Sequence, residues 1–280
     1  MTGNHCYFIV TVIVTVASIS EEFSHFDPNR RPKIMGDNLP FKAITPKRTR
    51  VQSKIVMYHN FFRSKVEPKA SNMLKMKWHK GAAKAAQKWA EKCQFLVHDT
   101  SLGRHEPHYG SCGQNIFIAS TKVPWLFAIE TWWLEKNAFK YGGKNNMTLV
   151  GHYTQLVWAS SHEVGCGLSK CQHKTQYMRE NYPEERVRDF YNYVCNYCPI
   201  GNRPGKASHP YKLGNPCSSC KKHCSKKLCL NSCNVSDIWA NCKQLYASHP
   251  IWLCRTNTPK GKMRIEFCKA TCTCGNKIYD

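Results

Sequence analysis

Acidic side chains are scarce in this sequence of 280 residues. Only 18 Asp and Glu residues stand against 41 Lys and Arg residues, which gives a formal net charge of +23. A protein with this field is drawn to anionic partners such as sulfated glycans, phospholipid headgroups or acidic receptor faces. The alternative, a solvated basic surface without one dedicated partner, is equally compatible with the composition.

Long apolar runs are also missing. The segment Tyr7–Ala17 ("YFIVTVIVTVA") is too short to span a bilayer comfortably, and no other run approaches transmembrane length. Small residues follow it, and then Glu21 and Glu22, which is typical of a signal peptide cleaved near Ser20; the alternative is a buried strand. We therefore expect residues 1–20 to be removed and the mature protein to be secreted, a compartment that argues against nucleic acid as a partner.

A recognisable nucleophile is the third absence, because the chain contains no GxSxG motif. His98, Glu130, Glu135 and His152 are candidates for acid–base chemistry, but their positions in the sequence do not bring them together. A single histidine in a run such as "GHYTQLVWASS" (151–161) is more often a structural polar group than a ligand.

Cysteine, in contrast, is abundant: the chain has 17, and ten of them lie within residues 217–280. Loss of residues 1–20 would remove Cys6 and leave sixteen, an even number that allows eight disulfides. The CxxC pairs at 195–198 and 217–220 imitate zinc knuckles. An oxidising compartment and an even count favour disulfides instead, although spacing alone does not define their pairing.

Periodicity and composition divide the remaining chain into segments. Residues 21–50 contain four prolines and predict an extended, basic leader, whereas residues 199–216 contain four prolines and three glycines and predict a linker. Between them, the patterns predict an amphipathic helix from Val51, further helices at 81–93 and 123–139, and strands at 163–171 and 189–198. Two sequons predict glycosylation at Asn146 and Asn234.

Several long motifs resemble a known family. "YHNFFRSKVEP", "ASNMLKMKW", "CGQNIF", "GHYTQLVW", "VGCG" and "YNYVCNYCPIGN" occur in the order found in the CAP superfamily, and the ten-cysteine tail resembles that of the cysteine-rich secretory proteins. The resemblance covers about residues 50–280. It implies an α+β fold: a CAP α-β-α sandwich at 51–198, the linker, a cysteine-rich hinge at 217–232, an ShK-like helical ion channel regulator module at 233–274 and a tail at 275–280.

The resemblance also implies the disulfide pairing. The expected pairs are Cys93–Cys171, Cys112–Cys198 and Cys166–Cys195 in the sandwich, Cys217–Cys224 and Cys220–Cys229 in the hinge, and Cys233–Cys274, Cys242–Cys268 and Cys254–Cys272 in the C-terminal module.

CAP proteins often present two histidines and two glutamates in a large cleft, and some bind zinc there. The matching positions are His98, Gln114, Glu135 and His152, where Gln114 stands in "CGQN" although the family commonly has "CGEN". An amide retains hydrogen bonding but carries no charge. Loss of an anion that supports a metal ligand typically weakens binding by roughly 10–100-fold. We therefore expect His98 and His152 to bind zinc weakly or not at all, and no other cofactor.

The resemblance implies a secreted, non-enzymatic binding protein. Its expected partner is an ion channel or a cell-surface protein, in a reproductive or venom setting, recognised by the basic C-terminal module. Two alternatives stay open at this stage: a hydrolase that uses His98, Glu135 and His152, and a protein that binds heparin or other anionic glycans of the extracellular matrix.

Overall fold

The computed structural model describes residues 32–172 and 189–279. The predicted signal peptide (1–20), Cys6 and the start of the predicted leader lie outside the described residues.

A four-stranded sheet forms the centre of the first domain, in the order β1-β5-β6-β4. The two long strands, β5 and β6, pair antiparallel along their whole length, and β4 adds to the other edge of β6. Both strands predicted from the sequence agree with β5 and β6 to within one residue. The strands within the described residues are β1 (Lys77–Trp78), β2 (His105–Glu106), β3 (Gly110–Ser111), β4 (Gly113–Ala119), β5 (Glu163–Cys171), β6 (Phe190–Cys198), β7 (Cys224–Ser225) and β8 (Leu228–Cys229).

Helices cover both faces of this sheet. On β6, Tyr193 and Tyr197 face the larger apolar core, whereas Val194 between them packs with Trp89 on the opposite face. This alternation is what a strand buried on both faces requires, and it confirms the predicted α-β-α sandwich. The helices of the first domain are α1 (Phe41–Ile44), α2 (Thr49–Arg63), α3 (Lys80–Glu91), α4 (Trp125–Leu134) and α5 (Met147–Leu156).

Two glycines of the "VGCG" motif allow α3 to lie directly on β5. A Cβ atom on Gly165 would lie 2.1 Å from the backbone nitrogen of Ala83, and one on Gly167 would lie 2.3 Å from Cα of Gln87. Any side chain at these two positions would therefore push the helix away from the sheet.

The predicted extended leader is wrong for residues 32–50. This segment contains a 3-10 turn at Gly36–Asn38, helix α1 and the start of α2. Leu39 and Ile44 are buried, and the indole of Trp125 donates a 2.7 Å hydrogen bond to the carbonyl of Ile44. A four-residue helix is too short to produce an amphipathic period, so the sequence pattern did not reveal it.

The proline-rich segment at 199–216 packs on the first domain. The amide of Ala159 donates to the carbonyl of Pro210, and the amide of Gly201 donates to Oε1 of Gln155. Tyr211 is buried in the main core. The segment is therefore a packed connection rather than a free spacer.

The cysteine-rich C-terminal region begins with a small hairpin and continues as short helices. Strands β7 and β8 pair antiparallel, and the backbone of Cys229 exchanges hydrogen bonds with Met73 and Lys75 of the first domain. The helices that follow are α6 (Cys242–Ser248), α7 (Pro250–Cys254), α8 (Pro259–Phe267) and α9 (Lys269–Thr273).

Disulfides hold both parts of the chain, and the eight pairs in the structure coincide with the eight implied by the family resemblance. They are Cys93–Cys171, Cys112–Cys198, Cys166–Cys195, Cys217–Cys224, Cys220–Cys229, Cys233–Cys274, Cys242–Cys268 and Cys254–Cys272. In the described part of the chain, no helix has both the length and the apolarity needed to cross a bilayer.

Candidate cleft and family membership

Four different elements carry the side chains that the sequence placed in a cleft. His98 follows α3, Gln114 lies on β4, Glu135 begins the 3-10 turn after α4, and His152 lies on α5. The structure joins them as two pairs, His152 with Glu135 and His98 with Gln114.

The pair on the helical side joins an imidazole to a carboxylate. Nδ1 of His152 lies 2.6 Å from Oε1 of Glu135, and the other carboxylate oxygen accepts the backbone N–H of Tyr153 at 2.9 Å. An ionised carboxylate only accepts hydrogen bonds, so Nδ1 of His152 donates and, in the neutral ring, Nε2 is the lone-pair nitrogen. The ring also stacks on Trp132, with 6.3 Å between the centroids, which fixes its plane.

The second pair joins an imidazole to an amide. Oε1 of Gln114 lies 3.0 Å from Nδ1 of His98 and also accepts the backbone N–H of Asp99. Nε2 of Gln114 donates to Oδ1 of Asn196 on β6, which sets the orientation of the amide. Nδ1 of His98 must therefore donate, and its Nε2 is a lone-pair nitrogen as in His152. Desolvation lowers the pKa of His98 below 6.5 and outweighs the hydrogen bond to Gln114, which raises it; the charge of Arg104, and that of His152 when it is protonated, lower it further.

Buried polar residues that the sequence did not single out support this arrangement. Asn115 donates to the backbone carbonyl of His152 at 3.0 Å and lies 3.4 Å from the hydroxyl of Tyr197. That hydroxyl in turn lies 2.9 Å from Nε2 of His59, a fully buried histidine whose pKa burial lowers to about 4. The residues lie in the quoted motifs "YHNFFR", "CGQN" and "YNYVCNYC", but nothing in the motifs shows that they touch.

Arg63 is a second residue that the pattern did not reveal. Its guanidinium, at the end of α2, is buried and donates to four backbone carbonyls, those of Leu74, Leu156, Trp158 and Ala159. Three of these carbonyls belong to the end of "GHYTQLVWASS". The arginine therefore holds the chain that leaves α5, and with it the helix that carries His152.

Each histidine offers one Nε2 atom, a nitrogen that zinc accepts as a ligand, but the described residues supply no third ligand beside them. Within residues 32–172 and 189–279, the only three His, Cys, Asp or Glu side chains with ligand atoms in mutual reach are Cys217, Cys220 and Cys229, and all three form disulfides. A zinc ion held by His98 and His152 would therefore need water to complete its ligands, which fits weak binding. Weak zinc binding stays a prediction.

Comparison with known proteins identifies the family. The family model described as "Cysteine-rich secretory protein family" (CAP) matches residues 56–197, and the model described as "Crisp" matches residues 217–279. The chain belongs to the cysteine-rich secretory protein family. Its fold class, with a CAP domain followed by a disulfide-rich C-terminal region, is thereby confirmed.

Relatives in this family align over most of their length. Cysteine-rich secretory protein 2 of Cavia porcellus is 40% identical over 246 residues, which is 87% of this chain and 91% of the relative. Cysteine-rich secretory protein 3 of Homo sapiens is 40% identical over 241 residues, 85% of this chain and 89% of the relative. Among solved structures, the one described as NaASP2 with Zn²⁺ is 27% identical with a TM-score of 0.49, and the match covers 65% of this chain and 96% of that one.

Membership makes this chain a secreted protein of the cysteine-rich secretory type.

The two sequon asparagines are both exposed. Asn146 caps α5 through its side-chain oxygen, which accepts the N–H of Thr148, and its amide nitrogen is the atom that a glycan would use. Asn234 lies at the surface next to buried Cys233. Glycosylation stays a prediction for both.

Proposed function

We propose that this protein is an extracellular, non-enzymatic binding protein whose C-terminal module docks on an ion channel or another cell-surface protein. The observation that carries the proposal is an exposed pair of side chains. Trp252 on α7 is 45% exposed, and the guanidinium of Arg264 on α8 lies 4.1 Å from the centre of its ring.

Tryptophan and arginine are the residues most often responsible for binding energy at protein interfaces. Arg264 also donates from Nε to the backbone carbonyl of Trp252 at 3.1 Å, so the pair is held in place before a partner arrives. Two further apolar side chains on the same helices, Ile251 and Met263, are 67% and 58% exposed. A surface of this kind loses little conformational entropy on binding.

The charge of the region favours an acidic target. Residues 217–280 contain eleven Lys and Arg residues and three Asp and Glu residues. Complementary charge accelerates encounter with an acidic surface, such as the outer mouth of a cation channel, and the pair of Trp252 and Arg264 would supply short-range affinity. Disulfides tie the end of α7 to α9 (Cys254–Cys272) and the C-cap of α8 to the start of α6 (Cys242–Cys268).

The test is a comparison of two exposed-residue variants of the full-length secreted protein. Trp252→Ala removes the aromatic anchor, whereas Leu102→Ala removes an 83% exposed apolar side chain from the first domain. The assay is patch-clamp recording on calcium, potassium and ryanodine-type channels. We expect the wild type and the Leu102 variant to modulate the current. The Trp252 variant should lose at least about tenfold in potency, since hot-spot residues contribute about 2 kcal/mol or more. Equal potency of the two variants, or no response from the wild type at micromolar dose, would contradict the proposal.

We further propose that the cleft is not a hydrolytic site. The serines after the histidine motif face other groups: the hydroxyl of Ser161 donates to the carbonyl of Pro199, and the buried hydroxyl of Ser160 has no hydrogen-bond partner among the described residues. Among the described residues, neither His98 nor His152 is hydrogen-bonded to a serine, threonine or cysteine that it could activate. Cleavage of a peptide library by the purified protein, lost in His152→Ala, would overturn this part of the proposal.

A further inference from the structure

Four lysines follow one another at intervals of four residues along α3 and its C-cap: Lys80, Lys84, Lys88 and Lys92. We call this row the lysine ladder. Successive members are separated by about 6 Å along the helix axis, so the ladder is about 18 Å long. Rows of this spacing run obliquely over a helix, but all four side chains are exposed.

The ladder has no counter-charge of its own. Among the residues that the structure describes, none of the four ammonium groups forms an ion pair. The one acidic residue within 80–92, Glu91, accepts a 2.8 Å hydrogen bond from Gln87 instead. The ammonium of Lys92 lies 4.9 Å from the ring centre of Trp89, a contact that leaves its charge uncompensated.

This pattern opposes what would stabilise the helix alone. Like charges four residues apart repel each other, and a lysine in the first turn, such as Lys80, faces the positive end of the helix dipole. An exposed helix face normally alternates lysine with glutamate for these reasons. A bound polyanion would remove both penalties at once.

The scaffold beneath the ladder is rigid. Gly165 and Gly167 bring α3 into backbone contact with β5, as described above. The disulfide Cys93–Cys171 ties the residue after Lys92 to the end of the same strand, and the side chain of His79 caps the other end of the helix by accepting the N–H of Ala82. The backbone positions of the four lysines are therefore set before a ligand binds, so that only their side chains have to be ordered on binding.

A groove continues the ladder at its C-terminal end. It has a volume of about 340 Å³ and lies between α3 and the loop at 99–103. Lys88, Lys92 and Trp89 line it from α3, and the loop contributes Leu102 and one carboxylate, that of Asp99. The volume is within the range of sites for small ligands, so the groove could seat one sugar residue of a chain that runs along the ladder.

From these observations we propose that the lysine ladder on α3 is a binding surface for a linear sulfated polysaccharide of the extracellular matrix. A linear polyanion fits because the four charges form one row rather than a compact cluster. A polysaccharide fits better than a membrane surface because the row ends in a groove that an aromatic ring lines. The inference concerns the first domain, so it is independent of the docking proposed for the C-terminal module.

The experiment compares two variants with the same loss of charge. The ladder variant is Lys80→Gln, Lys84→Gln, Lys88→Gln and Lys92→Gln. The control removes four exposed lysines from the hinge, Lys221→Gln, Lys222→Gln, Lys226→Gln and Lys227→Gln. Glutamine keeps the helix propensity of lysine, so α3 is expected to fold in the ladder variant, and circular dichroism checks this.

Binding of the full-length secreted protein to immobilised heparin is measured by surface plasmon resonance between 50 and 300 mM NaCl, values chosen to span moderate screening at about 0.15 M. We expect the ladder variant to bind roughly 30-fold more weakly, because it loses four charge contacts that each contribute modestly, and with a shallower salt dependence, because fewer counterions are released. The affinity of the hinge variant should change by less than about threefold, because its four lysines lie outside the ladder. Equal losses in both variants would show that only net charge matters and would overturn the proposal, as would an unchanged ladder variant. Vesicles of phosphatidylserine and phosphatidylcholine serve as a second probe; a ladder-dependent loss on vesicles without a loss on heparin would overturn the choice of partner.

A smaller substitution tests the same proposal if the fourfold variant does not fold. Lys84→Gln with Lys88→Gln removes the two central charges and is expected to weaken heparin binding by about fivefold, while Lys84→Arg with Lys88→Arg retains it. If the arginine pair loses binding as completely as the glutamine pair, positive charge in the ladder is not what the polysaccharide recognises.

Discussion

Replacing Gln114 with glutamate tests how the cleft depends on charge. In the wild type, the amide oxygen lies 3.0 Å from Nδ1 of His98 and 3.0 Å from the backbone nitrogen of Asp99. A carboxylate oxygen could accept both hydrogen bonds in the same position. Gln114→Glu therefore changes the charge beside His98 while it keeps the shape of the side chain.

The size of the effect follows from the geometry. Unit charges about 4 Å apart attract by about 1 kcal/mol in water and about 4 kcal/mol at an effective dielectric constant of 20. Because His98 lies at the surface, the lower part of this range applies, and we expect about 1.4 kcal/mol, or roughly tenfold tighter zinc binding. The pKa of His98 should rise for the same reason.

The substitution also has a structural cost. Nε2 of Gln114 donates to Oδ1 of Asn196, and a carboxylate cannot do so. The amide of Asn196 would have to turn over, which gives up its long 3.5 Å hydrogen bond to the carbonyl of Ala82. We expect this to lower the free energy of unfolding by about 1 kcal/mol.

Zinc titration by calorimetry at pH 7.5 and an NMR titration of the His98 ring measure the two outcomes. Glu135→Gln, the opposite exchange at the other histidine, is the matched control and should weaken zinc binding by roughly tenfold. If the glutamate at position 114 leaves both the zinc affinity and the titration of His98 unchanged in a folded protein, the charge of this side chain does not control the site. Sub-micromolar zinc binding by the wild type, abolished in His152→Ala, would refute the prediction of a weak site.

Three further predictions concern stability. His59 and His162 are buried, and desolvation lowers the pKa of each to about 4. Between pH 6.5 and 4 the unfolded chain therefore takes up protons that the folded chain does not, and the free energy of unfolding in urea should fall by roughly 3 kcal/mol per histidine as the pH drops through this window. A free energy of unfolding that stays constant over this range would contradict the burial. Arg63→Met leaves four buried carbonyls without their donor and should cost about 3–5 kcal/mol in the same assay, whereas a loss below about 1 kcal/mol would mean that water replaces the guanidinium. Gly165→Ala places a Cβ atom against the backbone of α3 and should lower the melting temperature by at least about 4 °C, while Gly151→Ala, whose nearest neighbours are 3.9 Å away, should leave it unchanged or raise it; similar effects of both would refute the close approach.

The sequence predicted some helices and strands more accurately than others. Strands β5 and β6, helix α3 and the start of helix α2 were predicted to within two residues, because each has a clear apolar period and lies against one continuous layer. Helix α5 was not assigned, since its "GHYTQ" segment has polar residues that are buried by hydrogen bonds rather than exposed. The short helix α1 was missed for lack of length.

The sequence by itself determined the cysteine count, the excess of positive charge and, through its motifs, the family, and it predicted the compartment and the cleft residues. These properties depend only on the amino-acid composition and on the order of residues within short segments. Only the tertiary structure decided that His152 pairs with Glu135, that Arg63 fastens the end of the helix that carries His152, and that the lysine ladder lies on a helix pressed against two glycines. The physical reason is distance along the chain: each of these contacts joins residues at least seventeen positions apart, and no local period records which partner a buried polar group will meet.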